Sequence, residues 1–238
     1  MIKDDYEEMA DAGIVEAQIL LFFRYAYGWG TRPDPQKAEN YLERAVASGD
    51  AFALYVAGTH QSSLANPAKD AATGFDFYLR AAKHDFAPAQ LAVAGHLQHG
   101  IGTPPDAAEA FKWAEKAAKA GYAPAQELLA TMYAEGQGVG RNEGEAFCWH
   151  SAAAAQGLAS AIQSVASCYE EGLGIPQNDE LALKHYQEAA RRGHWLAHSK
   201  LSQIYGLGLL GVARNETKAR EHERMARELA PTNNRGRR

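Results

Sequence analysis

The sequence predicts an all-α fold, a stack of about six helix-turn-helix units, from three observations: a 36-residue period, glycine-marked turns, and apolar residues at helical spacing. Gly13, Gly49, Gly121, Gly157 and Gly193 lie on the period, with Asp85 in the one missing place. Ala17, Ala53, Ala89, Ala125, Ala161 and Ala197 form a second column without a gap. Asp34, Asp70, Asp106, Asn142 and Asn178 form a third, and Tyr41, Phe77, Trp113, Trp149 and His185 a fourth. Near Gly211 the register slips by one residue, bringing Asn215 and Ala219 into the expected places.

Each column has a physical role. Gly-x-Gly turns at Gly28 and Gly30, Gly100 and Gly102, Gly136 and Gly138, and Gly172 and Gly174 separate the two helices of a unit. A glycine just past a helix end adopts the left-handed conformation that closes the last carbonyls. Four residues after the second glycine, Asp or Asn is placed to cap the next helix, and Asp106 with Glu109 and Asn142 with Glu145 approximate capping boxes. Pro88 and Pro124 sit near the starts of first helices, where a missing N–H costs nothing. Ala110, Trp113, Ala117 and Ala118 repeat at three- and four-residue spacing, as do Ala146, Trp149, Ala153 and Ala154. Small residues there let helices approach closely while the aromatic fills the remaining space.

These signals predict first helices at about 15–28, 51–64, 87–99, 123–136, 159–172 and 195–208, and second helices at about 34–48, 70–84, 106–120, 142–156, 178–192 and 215–229. Residues 3–12 read as an N-terminal capping helix. The expected organisation is one repeat domain over 1–229, in units of about 13–48, 49–84, 85–120, 121–156, 157–192 and 193–229, followed by a flexible basic tail at 230–238.

With 46% hydrophobic and 22% charged residues the chain has a folded composition, and a formal net charge of −5 argues against a nucleic-acid partner. Residues 214–238 carry eight basic residues against four acidic ones, the pattern of a solvated last helix and tail. No stretch is apolar enough for a membrane span, and the acidic, amphipathic start lacks a secretory signal. If Met1 is the native start, the cytoplasm is the expected compartment; a trimmed signal would place the protein in the periplasm or outside the cell.

Residues 123–157 carry Ala-x-Ala-Gln, Leu-Ala-x-x-Tyr, Gly-x-Gly-Val, Asn, Ala-x-x-Trp and Ala-Ala-x-x-Gly. This pattern closely resembles the Sel1-like repeat, a longer variant of the tetratricopeptide repeat, and the resemblance extends over about residues 12–229. Unit 2 departs most, with Gln61 at the tyrosine position and Leu64 and Asn66 replacing both turn glycines. The resemblance implies a right-handed superhelix whose first helices line an inner groove for a protein or peptide ligand. It implies a scaffold or adaptor, often bacterial; the expected role of this chain is an adaptor, a regulator or an immunity-type protein, and not an enzyme. The alternative is an exported member that binds host or envelope components or acts as a cell-wall hydrolase. Exported members of that cysteine-rich kind place a cysteine pair in almost every repeat, whereas this chain has two in all, Cys148 and Cys168, read as mostly buried packing residues.

No phosphate-binding, metalloprotease or serine-nucleophile motif is present, so neither a catalytic residue nor a cofactor is expected. His194 with His198, and His96 with His99, could each face one metal ion, but neither pair has a carboxylate or thiolate to complete a site. By resemblance, the groove positions of unit 4 include Pro124, Glu127, Thr131, Ala134 and Glu135. Shifts of 36 add Ile19, Phe23, Tyr27, Phe52 and Tyr55 from units 1 and 2. They add Leu91 and His99 from unit 3, and Gln163, Glu170 and Glu171 from unit 5. The expected face is therefore aromatic toward the N-terminus and polar to acidic toward the C-terminus, with docking in the N-terminal half. The other reading of Phe23 and Phe52 is packing on adjacent helices.

Overall fold

A capped, glycine-terminated sequence period becomes a helix pair repeated six times in the computed structural model, which describes residues 5–62 and 70–231. Among these residues there are thirteen helices and no strand. The cap is α1 (Asp5–Asp11). First helices are α2 (Val15–Tyr27), α4 (Ala51–Ser62), α6 (Ala87–His99), α8 (Ala123–Glu135), α10 (Ala159–Glu171) and α12 (Trp195–Leu207). Second helices are α3 (Pro35–Ala47), α5 (Ala71–Lys83), α7 (Ala107–Lys119), α9 (Glu143–Ala155), α11 (Asp179–Arg191) and α13 (Glu216–Leu229). Every predicted helix is present, each described end within about two residues of expectation, the scatter expected of helix ends, and the ends expected at 3 and 64 lie outside the described residues. The predicted turn at 64–68 and the tail at 232–238 lie outside the described residues.

The capping chemistry explains the boundaries. Asp34, Asp70, Asp106, Asn142, Asn178 and Asn215 each accept a backbone N–H of the first turn through the side chain, as in the 2.9 Å bond from the Glu109 amide to Asp106. At the other end, the amide of left-handed Gly172 donates to the Cys168 carbonyl over 2.9 Å.

The second turn glycine has a different job. A Cβ on Gly102 would lie 2.0 Å from the Ala71 carbonyl oxygen, and one on Gly174 would lie 2.1 Å from that of Glu143. The turn of one repeat is thus seated against the first residues of the preceding repeat's second helix, an approach only glycine permits. Within repeat 2, Gly58 of α4 lets the Tyr78 ring of α5 approach closely, since a Cβ there would lie 2.7 Å from it.

The helices form two compact units, Met1–Ala120 and Gly121–Arg238. In each, the alanine column is buried against larger groups: Leu21, Phe22, Leu42 and Val56 in the first, and Leu129, Met132, Tyr186, Leu201 and Ile204 in the second. Buried Gln18 and Gln90, two periods apart, donate to the Ala10 and Ala82 carbonyls at 3.0 and 3.2 Å, supplying partners to carbonyls near helix ends. The aromatic column stacks on first-helix tyrosines, Tyr25 on Tyr41 and Tyr169 on His185, with ring centres 5.9 and 5.7 Å apart.

Candidate functional site: an aromatic face in the first unit

Helices α2 and α4 pack side by side, and the three- and four-residue spacing of Phe23, Tyr27, Phe52 and Tyr55 brings these rings to one cleft of about 170 Å³. Phe22, Val56, Thr59 and His60 complete its wall. Phe52 and Tyr27 are exposed, at 47% and 53%, whereas Phe23 and Tyr55 are half-buried. Phe86, at the start of α6, meets Phe52 and Tyr55 edge-on, with ring centres 6.2 and 5.5 Å away.

Trp29 enlarges this face and is absent from the sequence-derived set. It occupies the middle of the Gly28–Gly30 turn, is 63% exposed, and stacks on Phe23 with ring centres 5.7 Å apart. Tyr27 lies 6.0 Å from both Phe23 and Trp29, so three rings form one cluster. The signal in the sequence is the tryptophan itself, at a turn position that packing does not require.

Ile19 is corrected: at 4% exposure it belongs to the core with Phe22 and Val56, not to a docking surface. An aliphatic side chain at the edge of the helix stripe turns inward, whereas its polar counterparts Glu127 and Gln163 are half-buried. On α6, Leu91 is half-buried and His99 exposed.

The acidic end in the second unit is also different from the expectation. Glu171 is exposed, but Glu170 accepts the Tyr186 hydroxyl at 2.6 Å and pairs with Lys200 at 2.9 Å. Ser167 lies 3.0 Å from the same hydroxyl and accepts from Gln163 at 3.1 Å. Burial, followed by the bond to Glu170, drives the Tyr186 pKa far above its ordinary value. Glu170 is therefore held by internal partners, which leaves Glu171 as the exposed acid of the two predicted on α10.

Cys148 is exposed, correcting its predicted burial, while Cys168 is buried and its thiol is pushed up to about 11 by desolvation, with Glu171 and Glu143 adding to the effect. The histidines pair differently from their sequence spacing. His96 Nδ1 lies 2.9 Å from the Ile101 carbonyl oxygen, and His198 Nδ1 lies 2.9 Å from His222 Nδ1 on the next helix. Among the described residues, no three His, Cys, Asp or Glu side chains gather where they could hold a metal ion, and no helix is long and apolar enough to cross a membrane.

The Sel1 repeat family model matches six times, at residues 15–50, 53–86, 87–122, 123–158, 159–194 and 195–230. A Sel1 repeat protein from Oxalobacter formigenes is 29% identical, with a TM-score of 0.83 over 93% of this chain and 90% of that one. The chain is 30% identical to c5321, a protective antigen of uropathogenic Escherichia coli with an SLR fold, with a TM-score of 0.85 over 95% of this chain. It spans 48% of that antigen's chain. Immunity protein PA5088 from Pseudomonas aeruginosa is similar in fold, at 19% identity and a TM-score of 0.60, over 97% of this chain and 87% of that one. The search of curated proteins found no sequence match.

Proposed function

The chain belongs to the Sel1 repeat family, whose repeats generally mediate protein–protein interaction, and from that premise we propose that it is a binding module docking a partner protein or peptide on the aromatic face of α2 and α4. The observation that carries this reading is the exposure of Tyr27 and Phe52 at one cleft, with exposed Trp29 stacked on the half-buried Phe23 of its wall. Clustered aromatic surface is costly to leave in water and supplies large contact area with few rotatable bonds, the properties of interface anchors.

The polar face of α10 is the competing location. Its Glu170 is already engaged by Tyr186 and Lys200, which favours the first unit as the docking site.

A binding assay with the identified partner separates the two. Truncating a desolvated anchor typically costs about 2 kcal/mol, roughly thirtyfold in affinity, so Tyr27→Ala and Tyr55→Ala weaken binding well beyond Glu171→Ala while helicity is retained. Added salt has little effect on aromatic docking and a steep one on acidic capture of a basic ligand. Normal binding by both tyrosine variants, with loss in Glu171→Ala or in high salt, would assign the interface to the second unit.

A further inference from the structure

We propose that His198 and His222 form an acid-sensitive latch that holds α13 on α12 at neutral pH and releases it in acid; the inference concerns the second unit and is independent of the docking face in the first.

The pair is peculiar to the last repeat. In the five repeats before it the place of His198 is held by Gln18, Leu54, Gln90, Gln126 and Ile162, side chains that do not titrate. The place of His222, allowing for the one-residue slip, is the aromatic column that includes His185. The stack of His222 on Tyr205, with ring centres 5.7 Å apart and planes 8° from parallel, repeats that of His185 on Tyr169. What the last repeat adds is a second imidazole, with His198 Nδ1 2.9 Å from His222 Nδ1.

At that distance one Nδ1–H donates to the lone pair of the other Nδ1. The donor ring can take up a proton on its Nε2 and keep the bond, which is then charge-assisted. A second proton has only the accepting Nδ1 left to it. Its arrival removes the lone pair and sets two N–H groups and two positive charges against each other. The bond therefore survives one added proton and is broken by the second. His198 is buried and His222 half-buried, so the two charges would be poorly screened.

The surroundings do not relieve that repulsion. A cleft of about 520 Å³ between α11, α12 and α13 is lined by both histidines together with two cations, Arg191 of α11 and Lys218 of α13. Arg191 is paired with Glu188 of its own helix at 2.5 Å. Against them stands one acid in the lining, the exposed Glu221 of α13. From α12 comes the Tyr205 hydroxyl, which accepts from Gln187 of α11 at 3.1 Å. Burial lowers the His222 pKa below 6.5, with His198 and Lys218 adding to the effect and Glu221 opposing it. A group lowered in this way contributes its full stability above 6.5 and loses it as the pH falls.

Little else ties α13 to α12. Ala226 is the one buried side chain of α13, against four on α11. The ion pairs of α13 among the described residues run within the helix or to the turn before it, Arg214 and Arg220 to Glu216, Arg227 to Glu223 and Arg224 to Glu228. Lys218 lies over the Tyr205 ring at 4.9 Å, an exposed and therefore weak contact. The His198–His222 bond is, among the described residues, the one side-chain hydrogen bond between the two helices. Its loss bears on the whole of α13, whose departure uncovers Leu201 and Tyr205, buried residues of α12 that line the same cleft.

Amide hydrogen exchange on the full chain, with each rate corrected for the chemical exchange rate at that pH, tests the latch. Between about pH 7.5 and about pH 5 the protection of α13 should fall about tenfold or more relative to that of α11. His198→Gln, which places there the residue of repeats 1, 3 and 4, cannot charge and should hold the change to about twofold or less. His222→Tyr, with the residue of the column in repeat 1, keeps a ring on Tyr205 and should do the same. Circular dichroism at neutral pH confirms folding, and if one variant fails to fold the other decides. Unchanged protection of α13 in the parent chain, or an equal acid loss in a folded variant, overturns the proposal. So does loss of protection in α9 and α10 together with α13, which would be general acid unfolding.

Discussion

Trp29 lies over Phe23, the two rings within 18° of parallel, although one belongs to a turn and the other to the middle of α2. The pair divides between surface and interior: Trp29 is 63% exposed, whereas Phe23 is half-buried and packed on the core of the first unit. Trp29→Ala should therefore cost no more than about 1 kcal/mol of stability, the value of one aromatic stack. Phe23→Ala should cost about 2 kcal/mol through the space it leaves. Urea unfolding measures both, and an equal large loss would show that Trp29 is a structural residue.

The turn glycines give a controlled series. Gly30, Gly102 and Gly174 have φ of 70°, 70° and 69°, but a Cβ meets nothing within 4 Å at Gly30 and a carbonyl at the other two. Gly30→Ala should cost roughly 1–2 kcal/mol, the backbone penalty alone. Gly102→Ala and Gly174→Ala should each cost at least about 3 kcal/mol, because the clash is added to that penalty.

Asp85 stands in the boundary-glycine column at a φ of 58°, with its carboxylate 2.7 Å from Lys116 Nζ. The ion pair is exposed and holds the carboxyl below its ordinary pKa, chiefly through the hydrogen bond from Lys116. An exposed pair contributes little, so relief of the backbone should prevail. Asp85→Gly is expected to keep or raise the melting temperature, and Asp85→Val to lower it.

His150 is buried in the second unit, and desolvation lowers its pKa from 6.5 to about 4. The sign follows from proton uptake: below pH 6.5 the unfolded chain binds a proton that the folded chain refuses until about pH 4. Stability is undiminished above pH 6.5 and falls by up to roughly 3 kcal/mol across that window. The corresponding residue one hundred and eight positions earlier is Leu42, and His150→Leu should flatten this part of the stability–pH curve. An unchanged slope would assign the acid sensitivity to other groups, His222 among them, whose pKa burial also lowers.

The two thiols should separate kinetically. Cys148 is exposed and Cys168 is buried with its pKa raised to about 11, so a chromogenic disulfide reagent should modify one thiol promptly and the other only on unfolding. Two fast thiols would show that α10 opens readily.

The helices were legible because their signals are local. Asp106, Asn142 and their counterparts announce helix starts by chemistry within four residues, and Gly100 and Gly136 announce the ends. Phe23, Tyr27, Phe52 and Tyr55 were legible as a set because helical spacing fixes which residues share a side. Ile19 was not, because burial at the edge of a stripe depends on the side chains opposite. Glu170 was not, because its partners stand 16 and 30 residues away on different helices. Trp113 and Trp149 occupy the predicted column but are only half-buried. Their truncation should cost about 2 kcal/mol, below the 3–5 kcal/mol of a fully buried ring.

The one-residue slip near Gly211 carries a consequence for how such chains change over generations. The amides of the second-helix caps Asp34, Asp106, Asn142 and Asn178 reach back to the first-helix carbonyls of Tyr25, Leu97, Tyr133 and Tyr169 at 2.8–2.9 Å. Asn215 makes the same bond to Tyr205, at 2.7 Å, although one more residue intervenes. Leu210 and Gly211 absorb the extra length by adopting φ of 51° and 73°. An insertion that would rotate every later side chain by 100° if it fell inside a helix is confined here to the loop. These turns are thus reading-frame buffers, sites where heritable length variation can accumulate and be tried while the helices on either side keep their register.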